Sequence, residues 1–475
     1  EKATPYRYSV DLQAPEGKLH VEMSAASRAA VMQFTFPRKA QQRVILQGIN
    51  LNPALGDWAN DYGPRLEKLR GWVKVDLDNN EIGGYNPDRQ STQIGPETPN
   101  FKGYFVVRFN RPIKGHGTWD GDKVYRDKAE LTGTRMGAFV EFGNSDGKPV
   151  VAQVGTSFIS VEQARANLQR EQQGFDRDAL LKAGRKAWNE ALSTLDIEGG
   201  TDDERAVFYT SYYRTFERPV CLSEDGHYYS AYDHAVHDDE GTPFYTDDWI
   251  WDTYRAAHPL RTLLNAPLEE NILASYLRMA EQNGNGWMPT FPGISGDSHC
   301  MNSNHAVISV ADALAKGLHV DYAKAYNACS RAIDEKTLAP WRDVRRGRID
   351  DFYDAHGYIP ALREDEEETD PVVHDWERRQ PIAVTLGTAY DQWALSVLAD
   401  TLGMADEAQR LRQCSYNYRN LYNPATAFFH PKDSTGQFIE PFDYRFSGGM
   451  GARQYYDENN GWTYRWDVPH RVDDL

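Results

Sequence analysis

Over residues 1–160 apolar and polar positions alternate in short runs. The stretches "RYSVDLQ", "KLHVEMSA", "AAVMQFTF", "QRVILQGI", "GWVKVDL", "YFVVRFN", "GAFVEF" and "PVVAQVGTSFIS" are β-branched and aromatic, and Gly-, Asn- or Asp-rich turns separate them. A period of two fits half-buried strands. So many strands without an intervening helical run predict an antiparallel β-sandwich over 1–160.

The period then lengthens. In "SVEQARANLQREQQGFDRDALLKAGRKAWNEALSTL", Ala164, Leu168, Leu180, Leu181, Trp188 and Leu192 fall on helical faces, which predicts a helical linker over 161–198. Beyond it, apolar spacing predicts helices at 202–217, 251–264, 268–282, 304–318, 321–336, 384–402 and 405–421, with another near 459. Turns such as "KGLHVDYA" and "LGMADEA" join several of them as hairpins. An array of α-hairpins over 199–475 is an open solenoid or a closed (α/α)6 toroid, and about eight helices are too few to close a six-hairpin ring. The chain therefore reads as α+β and multidomain, with an incomplete toroid. Its long loops, 218–250, 283–303, 337–383 and 422–458, carry Trp, Tyr, Gly and Pro, which points to function rather than disorder. The run "REDEEETD" (363–370) reads as a solvated acidic tip.

Composition narrows the function classes. The 475 residues exceed one ordinary core. Hydrophobic residues make up 40%, and no run approaches the about eighteen apolar residues of a membrane span. A net charge of −18, from 70 acidic and 52 basic residues, argues against nucleic acid or an anionic membrane as partner. The 12 Trp, 27 Tyr and 19 Phe fit either a large core or a cleft in which aromatic faces stack on sugar rings. Cys221, Cys300, Cys329 and Cys414 have no zinc-ligand spacing, and any disulfide pairing stays open. The chain starts at Glu1 without an apolar signal segment, as expected after removal of a targeting peptide or from a shortened chain.

Four stretches could carry chemistry. "TDDWIWDTYRAAHPL" (246–260) sets Asp247, Asp248 and Asp252 around two tryptophans, with Arg255 one helical turn after Asp252. It is either a helix start with an i,i+3 ion pair, or a stacking platform at Trp251 with Asp252 and Arg255 gripping hydroxyls. "GNGWMPTFPGISGDSHCMNSNHAVISVADALAKGL" (284–318) places His305 near a helix start, where it caps, binds or packs, and Asp312 and Lys316 as a structural i,i+4 pair. "AVTLGTAYDQWALSVLADTLG" (383–403) reads as a core helix carrying Tyr390, Asp391 and Trp393. "DENNGWTYRWDVPH" (457–470) offers Glu458 as a proton donor, shaped by Asn459, Asn460 and Trp462 and supported by Tyr464 and His470. Alone, Glu458 also reads as a surface acid. A donor role calls for a carboxyl kept protonated near neutral pH, which an aromatic, water-poor pocket achieves.

The order "SFISVEQARANLQRE", "FYTSYYRTFERP", "WDTYRAAHPL", "NHAVISVADALAKG", "TLGTAYDQWA", "YRNLYNP", "ENNGWTY" and "VPH" resembles the glycoside hydrolase family 92 α-mannosidases across essentially the whole chain. The resemblance implies a β-sandwich, a helical linker and an (α/α)6 toroid. It implies an exo-acting enzyme, periplasmic or secreted, that removes terminal α-linked mannose from glycans with inversion and with calcium. Glu458 matches the general acid of a Glu-Gly-Asn-Ala-Trp pattern, with Asn459 and Gly461 replacing its Gly and Ala. Trp251, Asp252 and Arg255 match part of the terminal-mannose subsite. His305, Asn460 and Trp462 are further substrate-binding candidates.

There are departures. Gly387 and Gln392 stand where the family has Glu and Asp, and Arg471 follows "VPH" in place of Asp. The family's Asn-Glu-Pro segment and the acidic motif bearing the general base are expected beyond Leu475, along with the calcium ligands. On that reading the chain is inactive until a C-terminal chain or segment complements it. Two other readings stay open: a non-catalytic glycan-binding homologue, and another (α/α)6 glycosidase acting on α-glucosides.

Overall fold

The computed structural model describes residues 1–48, 69–87, 100–446 and 454–475. They form two compact units. One runs to Glu217 and includes Leu222–Glu240; the other takes Arg218–Cys221 and Gly241–Leu475.

The first unit is built on β1 (Lys2–Thr4), β2 (Arg7–Ala14), β3 (Gly17–Ala25), β4 (Ala29–Thr35), β5 (Gln41–Gln47), β6 (Gly71–Asp76), β7 (Glu81–Asn86), β8 (Gly103–Phe109), β9 (Gly115–Asp120), β10 (Lys123–Arg126), β11 (Glu130–Gly133), β12 (Met136–Asn144) and β13 (Val150–Ser157). They pair into a nine-stranded sheet, β1-β2-β3-β4-β13-β8-β7-β6-β11, and a four-stranded sheet, β10-β9-β12-β5. Alternation turns Val73, Val75, Ile82, Val107 and Phe109 of the larger sheet toward Met136, Ala138, Val140 and Phe142 of the smaller one, in a single core. The expected sandwich strands are all present. Sequence reading missed β1, β7 and β9–β11, some of them glycine-rich. Gly117, for example, pairs with Phe139, and a Cβ there would lie 2.5 Å from the ring.

Three helices follow: α1 (Val161–Glu171), α2 (Arg177–Leu192) and α3 (Asp202–Arg214). Each starts on a capping side chain, Ser160, Asp176 and Thr201, the last in a capping box with Glu204. Ala164 and Leu168 of α1 pack on Ala29 and Val106 of the sheet.

The second unit holds α4 (Ile250–Thr253), α5 (Ala257–Leu264), α6 (Ala266–Gln282), α7 (Ala306–Ala315), α8 (Tyr322–Asp334), α9 (Arg348–His356), α10 (Pro381–Thr401), α11 (Ala405–Cys414) and α12 (Gly461–Tyr464). Helix α10 is buried along most of its length and packs against α7, α8 and α11. Short turns join α5 to α6, α7 to α8 and α10 to α11 as hairpins.

Several expectations are corrected here. The helix expected over 251–264 is two helices, because the chain leaves helical geometry between Thr253 and Ala257. With that break Arg255 turns from Asp252 and pairs with Asp467, Nη2 to Oδ1 at 2.9 Å. The stretch 337–383, read as loop, contains α9, whose charged residues mask the buried pair Ile349 and Tyr353. Within 218–250 lie two small antiparallel pairings, Val220–Cys221 with Tyr245–Thr246 and His227–Ser230 with Ala235–Asp238. Of the loop 422–458, residues 447–453 lie outside the described residues. The acidic run is exposed only at its tip, since Arg379 grips Glu368 through two hydrogen bonds of 2.6 and 2.7 Å. All four cysteines are free thiols. The Asp312–Lys316 pair forms as expected, at 2.7 Å.

Candidate functional site

Three segments of the second unit carry the candidate residues. The first begins at Asp247, whose backbone is left-handed at φ 63°. Its carboxylate lies 3.6 Å from Arg218 Nε, and the Arg218 guanidinium covers Trp249 at 3.5 Å from the ring centroid. Trp249 stacks in turn on Phe291. Asp248 is sealed from solvent, accepts a hydrogen bond from Tyr276 Oη at 2.6 Å, and stands 3.0 Å from His258 Nε2. Burial favours neutral groups there, but the charges of Glu269 and Asp248 push His258 up to about 9. Burial also acts on Asp248, and the charges of His258 and Arg261 outweigh it, holding the carboxyl below its usual range.

That buried clamp anchors the start of α4, which presents Trp251 and Asp252. Trp251 packs against Phe291, Cys300 and Met301. Asp252 reaches solvent, yet the surrounding protein raises its pKa; the negative charge of Glu458 raises it further and Arg218 opposes the rise. Asp252 and Glu458 thus share one electrostatic environment, although 206 positions of sequence separate them.

The second segment, 297–305, is held from both ends. Asp297 accepts backbone hydrogen bonds from Thr290, Phe291 and His299 at 2.7, 2.8 and 2.9 Å. Asp391 of α10 accepts one from Asn304 N at 2.6 Å and pairs with His305 Nδ1 at 2.7 Å. Between these anchors His299, Met301 and Ser303 all stand in the left-handed region, with φ of 53, 68 and 69°. Three such residues in one short loop are unusual and cluster where structure holds a site under strain. Asn302 lies among them, buried, and donates from Nδ2 to Gln380 Oε1 and to Asp457 Oδ2, both at 2.9 Å.

The third segment carries Glu458. Asp457 is buried, and its N–H donates to Tyr464 Oη at 3.2 Å while that hydroxyl donates back to its carbonyl at 3.0 Å. Glu458 follows with φ 56° and is exposed. The enclosed aromatic pocket expected around it is therefore corrected: the buried neighbours Asp457 and Tyr464 fix the backbone and leave the carboxyl in reach of water. Asn460 caps α12, accepting from Trp462 N at 3.0 Å and Thr463 N at 3.4 Å. Trp462 is 56% exposed and meets Phe428 edge-on.

The fold brings Asp252 to Glu458, and Tyr254 onto His305 with ring centroids 4.2 Å apart. His305 has no capping bond, and its imidazole belongs to Asp391. His470 stacks on Tyr390 at 5.2 Å and bonds the Ser415 carbonyl, so its contacts are with the helical core. Sequence reading missed Arg218, Asn302 and Gln380. Gln380 and Arg218 each had one local signal, since they precede Pro381 and Pro219; Asn302 had none. The departures also find places. A Cβ on Gly387 would fall on Ser303 Oγ, so a larger residue there requires Ser303 to move. Gln392 accepts from Tyr353 Oη at 3.1 Å. Arg471 covers the Tyr416 ring.

Calcium needs six to eight oxygen ligands. Among the described residues no three His, Cys, Asp or Glu side chains converge as a metal site would require. These residues do not by themselves fit the ion. No described helix is long and apolar enough to cross a membrane.

The chain is similar to the solved family GH92 inverting mannosidase of Bacteroides thetaiotaomicron, 30% identical with a TM-score of 0.81 over 98% of this chain and 57% of that one. It is 25% identical over 348 residues to an uncharacterized secreted glycosidase of Arthroderma benhamiae, covering 70% of this chain and 36% of that protein. A bacterial glucoamylase solved with acarbose, 12% identical, shares the fold alone, with a TM-score of 0.51 over 95% of this chain and 63% of that one. The chain thus spans little more than half the length of the solved mannosidase, with an antiparallel β domain followed by part of an (α/α)6 region. Residues 1–157 match the glycosyl hydrolase family 92 N-terminal domain and 163–475 its catalytic domain, and the chain belongs to that family.

Proposed function

We propose that the protein is an exo-acting α-mannosidase, periplasmic or secreted, which removes terminal α-linked mannose from glycans with inversion and uses Glu458 as general acid. The observation that carries this reading is that Glu458 lies near enough to Asp252 for its charge to raise the Asp252 carboxyl, at the segment where Trp251 packs on Phe291 and Met301. Family membership and the inverting mannosidase among its relatives support it.

In this reading Trp251, backed by Phe291 and Met301, offers an aromatic face to the terminal sugar, and Asp252 accepts hydrogen bonds from its hydroxyls. Glu458 gives its proton to the glycosidic oxygen as the C1–O bond breaks and the bonding electrons leave with that oxygen. A water attacks C1 from the opposite face, a carboxylate takes its proton, and the anomeric configuration inverts.

The test uses the intact protein and Glu458→Gln on an α-linked mannobiose. Turnover should fall about 10²–10⁴-fold while mannose binding persists, and the first sugar released by the unaltered protein should be β-mannose. Undiminished turnover in the variant, α-mannose as first product, or a preference for α-glucosides would overturn the reading.

A further inference from the structure

The Asn302 amide is fixed in a single orientation. Both hydrogens of its Nδ2 are used, one on Gln380 Oε1 and one on Asp457 Oδ2, each at 2.9 Å. Its Oδ1 accepts from Ser303 Oγ at 2.8 Å. Reversing the amide would turn Oδ1 toward two acceptors. Gln380 is equally constrained, because its Nε2 donates to Glu377 Oε2 at 2.9 Å and to the Glu377 carbonyl at 3.2 Å. The result is a chain of hydrogen bonds that runs outward from Asn302, through Gln380 to Glu377 on one side and to Asp457 on the other, with all four side chains buried.

The chain ends one residue from the proposed acid. It ties three separate stretches, 302–303, 377–380 and 457–458, and at each a non-glycine residue stands in the left-handed region: Ser303, Gln380 and Glu458. Such conformations persist only where the surroundings over-determine them. Gly387 belongs to the same device, since a Cβ there would fall on the Ser303 hydroxyl where it now stands against α10. The buried carboxylate of Asp457 needs donors, and Asn302 brings one from a loop anchored at Asp297 and Asp391.

We infer that Asn302 is a positioning residue for Glu458, setting the backbone that carries the acid through its hydrogen bond to Asp457. This rests on the reading of Glu458 as proton donor. Asn302 does not touch the sugar; it determines where the proton is delivered, and a misplacement of about 1 Å can cost on the order of 10²-fold.

The test compares two substrates in the intact protein. An α-linked mannobiose has a leaving sugar that must be protonated, whereas 2,4-dinitrophenyl α-mannoside has a leaving group that departs as the anion. The quantity read is the ratio of kcat/KM on the first to that on the second. Glu458→Gln should lower this ratio about 10²–10⁴-fold. Asn302→Asp, which sets a carboxylate against Asp457, should lower it about 10–100-fold. Asn302→Asp with Asp457→Asn, which exchanges donor and acceptor, should recover part of the loss. Ser303→Ala, a milder change, should lower the ratio about threefold to tenfold, as one neutral hydrogen bond is worth. An unchanged ratio in the Asn302 and Ser303 variants, or equal losses on both substrates, overturns the inference while a selective Glu458→Gln effect leaves the acid reading standing. If Glu458→Gln itself leaves the ratio unchanged, the acid reading fails and the inference falls with it.

Discussion

His258 Nδ1 lies 2.6 Å from Glu269 Oε1, and neither side chain is reached by solvent. With Asp248 on its other nitrogen, His258 is an imidazolium between two carboxylates, its pKa pushed up to about 9 against the pull of burial. In the unfolded chain the same group titrates near 6.5, so its contribution to stability is complete below that pH and fades as pH rises through about 9. Urea unfolding of the helical unit should therefore show a loss on the order of 1–3 kcal/mol between pH 6.5 and 9. In His258→Gln this alkaline limb should flatten, and at pH 6.5 the variant should be less stable by about 3–5 kcal/mol, because two buried carboxylates lose their partner.

His470 predicts the opposite limb. Burial beside Tyr390 lowers its pKa to about 4, although its bond to the Ser415 carbonyl works the other way. A histidine kept neutral in the fold stabilises fully above its unfolded pKa of about 6.5, and the contribution fades as pH falls toward 4. Thermal unfolding followed between pH 4 and 6.5 should show Tm dropping with acid, more steeply in the unaltered protein than in His470→Asn.

Gly387 and Ser303 form a steric pair. A Cβ at Gly387 would fall on Ser303 Oγ and lie 3.1 Å from Ser303 Cβ. Gly387→Ala should therefore destabilise the protein by about 1–3 kcal/mol, as overpacking does. Adding Ser303→Gly removes the obstructing atoms and suits the φ of 69°, so the double variant should recover most of that loss in denaturant unfolding. Equal destabilisation of single and double variants would show the two positions to be uncoupled.

What could be read from sequence follows the range of the interactions. "GAFVEF" declared its strand because alternation is local, and the eight quoted stretches all became strands. "GHGTWD" did not, because its glycines answer to a neighbouring strand, Gly117 to Phe139 and Gly115 to Glu141. The break after Thr253 was invisible for the same reason, since Arg255 finds its partner 212 residues away. At the candidate site, Trp251, Asp252 and Glu458 were legible as members of ordered motifs. Asn302 and Gln380 were not, because an asparagine in a polar loop looks the same whether it faces water or a buried carboxylate.

Glu458 occupies a conformation that glycine adopts without strain. Selection for a sturdier fold alone would favour replacing it, and Glu458→Gly could stabilise the chain by up to about 1 kcal/mol while deleting the proposed acid. Stability and turnover pull this one position in opposite directions. A stability-driven redesign of the protein that treats all strained residues alike would therefore remove its chemistry first.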